Sequence, residues 1–233
     1  MNLALFNLDG AMFLLRWFHF FFGIIWIGLL YYFNFVQGAF FAETDATTKS
    51  NAIQKLLPRA LWWFRWGAMF TVITGLTYLA IKGHLGGFDL FTTSYGVTIL
   101  MGMTLGLFMW GNVWFVIWPN QKIVIASAEK VAQGGAALPE AAAAGARALV
   151  ASRTNTMFSI PMLFFMGAAS HLSFNMSPTS HYGALAGSFA VILLALEWNA
   201  LRGKTGPLTT VRGVIHCGFA LAAVLYGLVE ICA

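Results

Sequence analysis

Apolar residues occur in six long runs, separated by short polar or glycine-containing stretches. Each run has 20 residues or more, which is the length that a helix needs to cross the hydrocarbon core of a bilayer. The pattern therefore predicts an all-α protein, a polytopic membrane helical bundle with six transmembrane helices. The predicted spans are residues 12–36, 61–81, 95–118, 154–174, 182–201 and 208–231.

Two of the connecting stretches are long enough to have structure of their own. Residues 43–59 are polar and predict a short loop helix. Residues 120–152 are rich in Ala and Gly and are interrupted by Gly134-Gly135 and Pro139, both of which end helices. This pattern predicts two modest surface helices and a solvated connector at about 119–153. No second domain is indicated, so residues 1–233 are expected to form a single integral membrane domain.

Composition supports the membrane assignment. Hydrophobic residues make up 59% of the chain and charged residues 9%, whereas soluble domains have about 25% charged residues. That deficit excludes a surface that faces water on all sides, and membrane lipid is the first expected partner. The net charge of +5 is read as an orientation signal in a membrane protein, so no nucleic-acid partner is expected.

The distribution of basic residues predicts the orientation. Most of them lie in or beside the loops that follow the first, third and fifth spans, while the opposite face has only Arg16 and Lys82. Basic loops stay in the cytoplasm. Both termini are therefore expected outside, in the periplasm, with the Ala-rich stretch on the cytoplasmic side and the protein in the bacterial inner (cytoplasmic) membrane.

The first span contains the strongest chemical signal. Arg16 and His19 lie within its first turns, and Gly23 and Trp26 continue the same helical face. Polar groups at this depth are costly unless something satisfies them. A haem would do so, with His19 as an axial ligand of its iron, Gly23 admitting the flat ring and Arg16 pairing with a propionate. The alternative is a histidine bonded to a neighbouring helix and an arginine that reaches the lipid phosphates.

Two further histidines are candidates for the second axial ligand. His216 follows Arg212 by four residues in the last span and repeats the arginine-then-histidine order, so Arg212 would pair with a second propionate. His171 lies near the outer end of the fourth span, at a depth closer to that of His19. The sequence leaves open which of the two pairs with His19. His84 and His181 fall in outer loops and are expected to be exposed.

Other polar residues near span ends have structural explanations. Glu197 is close enough to Arg202 in sequence for a local ion pair. Asn112 and Asn155 are expected to form hydrogen bonds between helices. Asn155 also lies beside Arg153, and together they are candidates for contact with a polar ligand.

Several strings of the chain resemble a known family. Arg16-Trp17-Phe18-His19, Trp63-Phe64-Arg65-Trp66, Trp118-Pro119-Asn120-Gln121 and Ser152-Arg153-Thr154-Asn155-Thr156 resemble the membrane domain of the cytochrome-c-linked urate oxidases (urate hydroxylases). The resemblance implies an inner-membrane protein that passes electrons to a cytochrome c. The first span is also similar, over a shorter stretch, to the HemJ-type protoporphyrinogen oxidases, which implies a haem ligand in the first helix.

This chain departs from the urate oxidase pattern in ways that bear on activity. Gly67 and Thr154 stand where that pattern has a carboxylate and an imidazole, so two candidates for a general base are absent. No cytochrome c sequence occurs within these residues, so the electron acceptor is expected to be a separate cytochrome c or a larger membrane complex.

Three functions are consistent with these patterns. The leading prediction is a redox protein that binds haem b and passes electrons to a cytochrome c or partner complex. The second is a urate or purine hydroxylase of the membrane urate oxidase type. The third is a non-catalytic structural or assembly subunit of a larger respiratory or photosynthetic membrane complex.

Overall fold

The computed structural model describes residues 4–233, which form nine α-helices and no β-strand. The predicted all-α class is therefore confirmed. The helices are α1 (Leu8–Tyr31), α2 (Gly38–Glu43), α3 (Ala46–Lys55), α4 (Leu57–Gly86), α5 (Ser94–Gly111), α6 (Trp118–Ala132), α7 (Ala141–His171), α8 (Tyr182–Arg202) and α9 (Val211–Cys232).

Two pairs of these helices are joined by π-helical turns into longer rods. Tyr32–Gln37 connects α1 to α2, and Asn112–Ile117 connects α5 to α6. A π turn adds one residue to a helix without breaking its hydrogen bonding, and such turns often accompany buried polar groups. Asn34 and Asn112 are both buried within these turns, so each turn brings an amide into the interior of the bundle.

Within residues 4–233, five helical rods are long and apolar enough to cross a membrane. They are Leu8–Glu43, Leu57–Gly86, Ser94–Ala132, Tyr182–Arg202 and Val211–Cys232. Membrane helices are therefore supported, but the predicted count of six is not confirmed. The fourth predicted span lies in α7, which is long enough but more polar than the others.

Helix α7 lies at the centre of the bundle. It packs against α5, α6, α8 and α9, and it also touches α1, which pairs mainly with α4. The middle of α7 is buried almost continuously from Arg153 to Ser159. A helix with protein on all sides can have polar side chains that a lipid-facing helix cannot, because its neighbours satisfy them.

The Ala-rich stretch differs from its prediction. The break is where Gly134-Gly135 and Pro139 predicted it, but the flanking helices are continuations of longer ones, since α6 extends the α5 rod and α7 continues to His171. Ala144, Ala148 and Ala151 are buried, because small side chains on one face let α7 pack closely on its neighbours. Sequence composition alone made this face look like a solvated connector.

The predicted loop helix at 43–59 is confirmed as α3. Asp45 caps its N-terminus, where the carboxylate accepts hydrogen bonds from the backbone N–H groups of Thr47 and Thr48, both at 2.9 Å. Side-chain capping of this kind satisfies donors that have no partner within the helix. The Asp45 cap fixes the point at which the chain leaves the α1–α2 rod and turns toward α4.

Gly96 provides a test of the packing at the α4–α5 turn. A Cβ at Gly96 would lie 2.1 Å from the carbonyl oxygen of Leu90 and 2.4 Å from the Cα of Phe91. Backbone atoms cannot move aside easily, so Gly96→Ala is expected to lower the free energy of unfolding by about 2 kcal/mol. The measurement is the thermal unfolding midpoint of the protein in detergent.

Gly106 is the matched control in the same helix. A Cβ at Gly106 would meet nothing within 4 Å, and alanine favours helix over glycine by roughly 1 kcal/mol. Gly106→Ala is therefore expected to leave the midpoint unchanged or raise it. Equal midpoints for the two variants would contradict the close approach at Gly96.

Candidate functional site

His19 lies between α1 and α4, and α4 fixes its ring. The imidazole Nδ1 is 2.8 Å from the backbone carbonyl oxygen of Thr71. A carbonyl oxygen only accepts hydrogen bonds, so Nδ1 carries the proton and the neutral ring keeps its lone pair on Nε2. Within the described residues, Nε2 has no hydrogen-bond partner. A ring oriented through one nitrogen, with the other free, is typical of a metal-ligating histidine.

A glycine on α4 lets the His19 ring approach the helix. A Cβ at Gly75 would lie 2.9 Å from Cε1 and 3.0 Å from Nδ1 of His19, so only glycine leaves room for the imidazole in this position. Gly23, one turn below His19 on α1, also faces α4, because its Cβ would lie 3.9 Å from Thr71 Cγ2. Gly23 therefore lies at the helix–helix contact that holds His19.

Two cations lie one turn or more from His19, toward the end of the bundle that is predicted to be periplasmic. The Arg16 guanidinium donates a hydrogen bond to the Tyr78 hydroxyl. The Lys82 ammonium lies over the ring of Tyr95, 3.7 Å from its centroid. The open cavity beside them, of about 280 Å³, has both charged and apolar walls; its lining is Leu8, Asp9, Met12, Phe13, Arg16, Tyr78, Lys82 and Leu85.

His171 lies at about the level of His19. The hydroxyls of Tyr31 and Ser159 are 2.9 Å apart, and α1 and α7 run in opposite directions. His19 lies 12 residues before Tyr31, and His171 lies 12 residues after Ser159. Because the two helices are antiparallel, both histidines lie about 18 Å from the Tyr31–Ser159 contact, toward the same end of the bundle. His171 is exposed, at the last residue of α7.

His216 lies at a different level. Gly218, two residues after His216 on α9, packs against Ile160 and the carbonyl oxygen of Met157 on α7. This contact lies about 20 Å along α7 from His171. Helix α9 packs on α7 and α8, while α1 pairs with α4. The structure therefore does not bring His216 and Arg212 to His19, and the repeated arginine-then-histidine order does not build one shared site.

The remaining histidines are exposed, as predicted. His84 lies in the last turn of α4 and not in the loop that follows it, and His181 directly precedes α8. In the described part of the chain, no three His, Cys, Asp or Glu side chains come close enough together to hold a metal ion by themselves.

A chain of polar side chains connects three helices at the cytoplasmic side of the predicted topology. The Asn112 amide donates to Asn155 Oδ1 and to Glu197 Oε2, both at 3.0 Å, and the Asn155 amide donates to the Met109 carbonyl at 2.9 Å. The interhelical role predicted for the two asparagines is confirmed. The local ion pair of Glu197 with Arg202 is wrong, because the carboxylate turns inward to Asn112.

The two positions that depart from the urate oxidase pattern are tightly enclosed. A Cβ at Gly67 would lie 3.2 Å from the backbone nitrogen of Trp26, so a small residue is required where α1 and α4 approach. Thr154 is buried and its hydroxyl donates to the Val150 carbonyl in its own helix. Neither position offers a group that can accept a proton from a substrate.

Comparison with known proteins supports one part of the sequence resemblance. No curated protein and no solved structure matches the chain. The family model described as urate oxidase N-terminal matches residues 85–226, which is more than half of the chain and extends from the end of α4 into α9. The chain belongs to the urate oxidase N-terminal family.

Proposed function

We propose that this protein is a membrane redox protein that holds one haem b at the outer end of the α1–α4 pair, with His19 as an axial ligand. The observation that carries the proposal is the state of His19: Nδ1 is held by the Thr71 carbonyl at 2.8 Å, while Nε2 is free to donate its lone pair. Bound there, haem iron would supply one-electron transfer to a cytochrome c or a partner complex.

The neighbouring residues supply the other functions that such a site needs. Arg16, one turn outward, is oriented by Tyr78 and offers positive charge to a propionate. Thr71 and Gly75 keep the imidazole in one orientation, through the hydrogen bond to Nδ1 and the close approach of the ring to the glycine. His171, at about the same level, is the candidate for the second axial ligand, whereas the position of His216 does not support that role.

We also propose the finer topology that the basic residues indicate. In this arrangement α7 is the sixth span, enclosed by the other five, both termini are periplasmic, and the protein lies in the bacterial inner membrane. The outward-facing aromatic side chains of α1, such as Trp17 and Phe20, would then contact lipid in the outer half of the bilayer.

Family membership favours a second candidate function, the oxidation of urate or a related purine. The name of the family refers to that activity, and the matched region covers α5 to α9. Against it, Gly67 and Thr154 provide no general base. If added urate reduces cytochrome c in the presence of the purified protein, the hydroxylase is the correct reading. If neither urate oxidation nor haem is found, a structural or assembly subunit is the remaining candidate.

The first prediction concerns His19. The wild-type protein purified in mild detergent is expected to show a Soret band and, after reduction, an α-band. His19→Gly is expected to lose both, because the axial nitrogen is missing. Added imidazole should restore a large share of the absorbance, since the small ligand fills the space that the side chain has left.

His84→Ala and His181→Ala are matched controls, because both histidines are exposed at the same end of the bundle. They are expected to keep wild-type absorbance. Haem content in His19→Gly equal to that of the controls would refute the ligand assignment. His171→Ala tests the second ligand: we expect a shift from a six-coordinate to a five-coordinate haem spectrum, with haem still bound.

The second prediction concerns Gly75. Gly75→Ala adds a methyl group 2.9 Å from the His19 ring, which should push the imidazole away from Thr71. We expect haem occupancy to fall by roughly tenfold, which corresponds to about 1.4 kcal/mol, while the helical circular dichroism stays unchanged. Gly28→Ala, in the same helix pair but with nothing within 4 Å of the added Cβ, should retain haem; equal occupancy in the two variants would contradict the proposal.

A further inference from the structure

Arg153 is a buried residue whose guanidinium has two nitrogens without a partner among residues 4–233. Only 9% of its surface is exposed, and its Nε and Nη1 atoms have no hydrogen-bond partner in the described part of the chain. Neither ring stacking nor an ion pair with a carboxylate compensates for it among those residues. A charged group removed from water without partners is strongly destabilising, so a ligand that satisfies it is expected.

The position of Arg153 on α7 places it on the face that meets α9. Met157 and Ile160 contact Gly218 of α9, and Arg153 precedes Met157 by four residues, about one turn. On the opposite faces, Ser152 is bonded to Asn34 and Asn155 to Asn112. The guanidinium therefore does not belong to either of those two polar contacts.

Arg153 lies at about the level at which α9 begins. Long side chains on a helix point toward its N-terminus. Helices α7 and α9 run in the same direction, because Gly218 lies beside Ile160 and Tyr226 beside Phe164. Arg153 lies one turn before Met157 on α7. Because the helices are parallel, it is level with the first turn of α9, which begins at Val211.

The first turn of α9 has backbone donors that the protein leaves free. Thr210 caps the helix and accepts from the Gly213 N–H at 3.0 Å, while the Val214 N–H bonds to the Thr210 carbonyl. The N–H groups of Val211 and Arg212 have no such partner in the described residues. The N-terminus of a helix carries partial positive charge and binds anions.

The charge of this region has the same sign throughout. Residues 198–216 contain Arg202, Lys204 and Arg212 and no carboxylate. The preceding acidic residue, Glu197, already accepts a hydrogen bond from Asn112. A buried arginine beside a positive helix end is unfavourable without a counter-ion, so the electrostatics of this region favour binding of an anion from outside the chain.

We propose that Arg153 and the first turn of α9 form a binding site for a phosphate group. The guanidinium edge with Nε and one Nη presents two parallel donors, which match two oxygens of a phosphate, and the helix end can donate to a third. The phosphate belongs either to the head group of an anionic lipid or to a soluble phosphate. This site lies at the other end of the bundle from His19 and does not depend on the haem proposal.

The test uses the full chain purified in a neutral detergent. The thermal unfolding midpoint is measured with added phosphatidylglycerol, with phosphatidylcholine and with inorganic phosphate at constant ionic strength. Stabilisation by phosphatidylglycerol beyond phosphatidylcholine identifies a lipid head group, and stabilisation by inorganic phosphate identifies a soluble ligand. Midpoints in all three that equal the midpoint of the protein without any additive, together with no phosphate-bearing adduct in native mass spectra, would overturn the proposal.

Three variants test whether the stabilisation by the added ligand depends on Arg153. Arg153→Gln is expected to weaken the stabilising ligand at least about tenfold, because it removes the charge and one parallel donor. Arg147→Gln is the matched control, since Arg147 is exposed on the same helix. It should bind as the wild type does. Equal weakening in both variants would show a general charge effect and refute the site.

If Arg153→Gln does not fold, Arg153→Lys keeps the charge but loses the parallel donors. We expect this variant to retain stabilisation with an apparent affinity at least about fivefold weaker than that of the wild type. Wild-type affinity in Arg153→Lys would mean that the fork of the guanidinium does not contact the ligand, which contradicts the proposed geometry.

Discussion

The bundle depends on satisfying the polar side chains of α7 inside protein. Its residues from 152 to 159 include Ser152, Asn155 and Ser159, which bond respectively to Asn34, to the α5 rod and to Tyr31. The neighbouring helices enclose these groups, so each of them needs a partner within the protein. These bonds bring α1 and the α5 rod against α7 and set the level of each along the helix axis.

That alignment decides which candidate residues can act together. With Tyr31 opposite Ser159, His19 and His171 lie at the same level near one end of the bundle. With Gly218 opposite Ile160, His216 lies well toward the other end. Helical spacing had related His19 to Arg16 correctly, because residues three apart share a face in any helix. It contained no information about the offset between two helices separated by more than 100 residues.

Arg153 differs from the two cations at the opposite end of the molecule. At the outer end of the predicted topology, Arg16 and Lys82 lie against tyrosine rings beside an open cavity. At the other end, Arg153 is enclosed without a partner while Glu197 is occupied by Asn112. The first arrangement tolerates an absent ligand because aromatic rings and solvent compensate for the charge. Arg153 has no such compensation among the described residues, so a bound phosphate would stabilise it.

The sequence by itself determined the helical class, the membrane character, the existence of α3 and the break near residues 133–140. These properties follow from local chemistry: apolar run length, charge content, capping residues, and Gly and Pro positions. The anchoring of His19 by Thr71 and Gly75, the central position of α7 and the unpaired state of Arg153 were decided only by the tertiary structure. They depend on which helix faces meet and at what offset, and that offset is set by packing and hydrogen bonds between residues far apart in the chain.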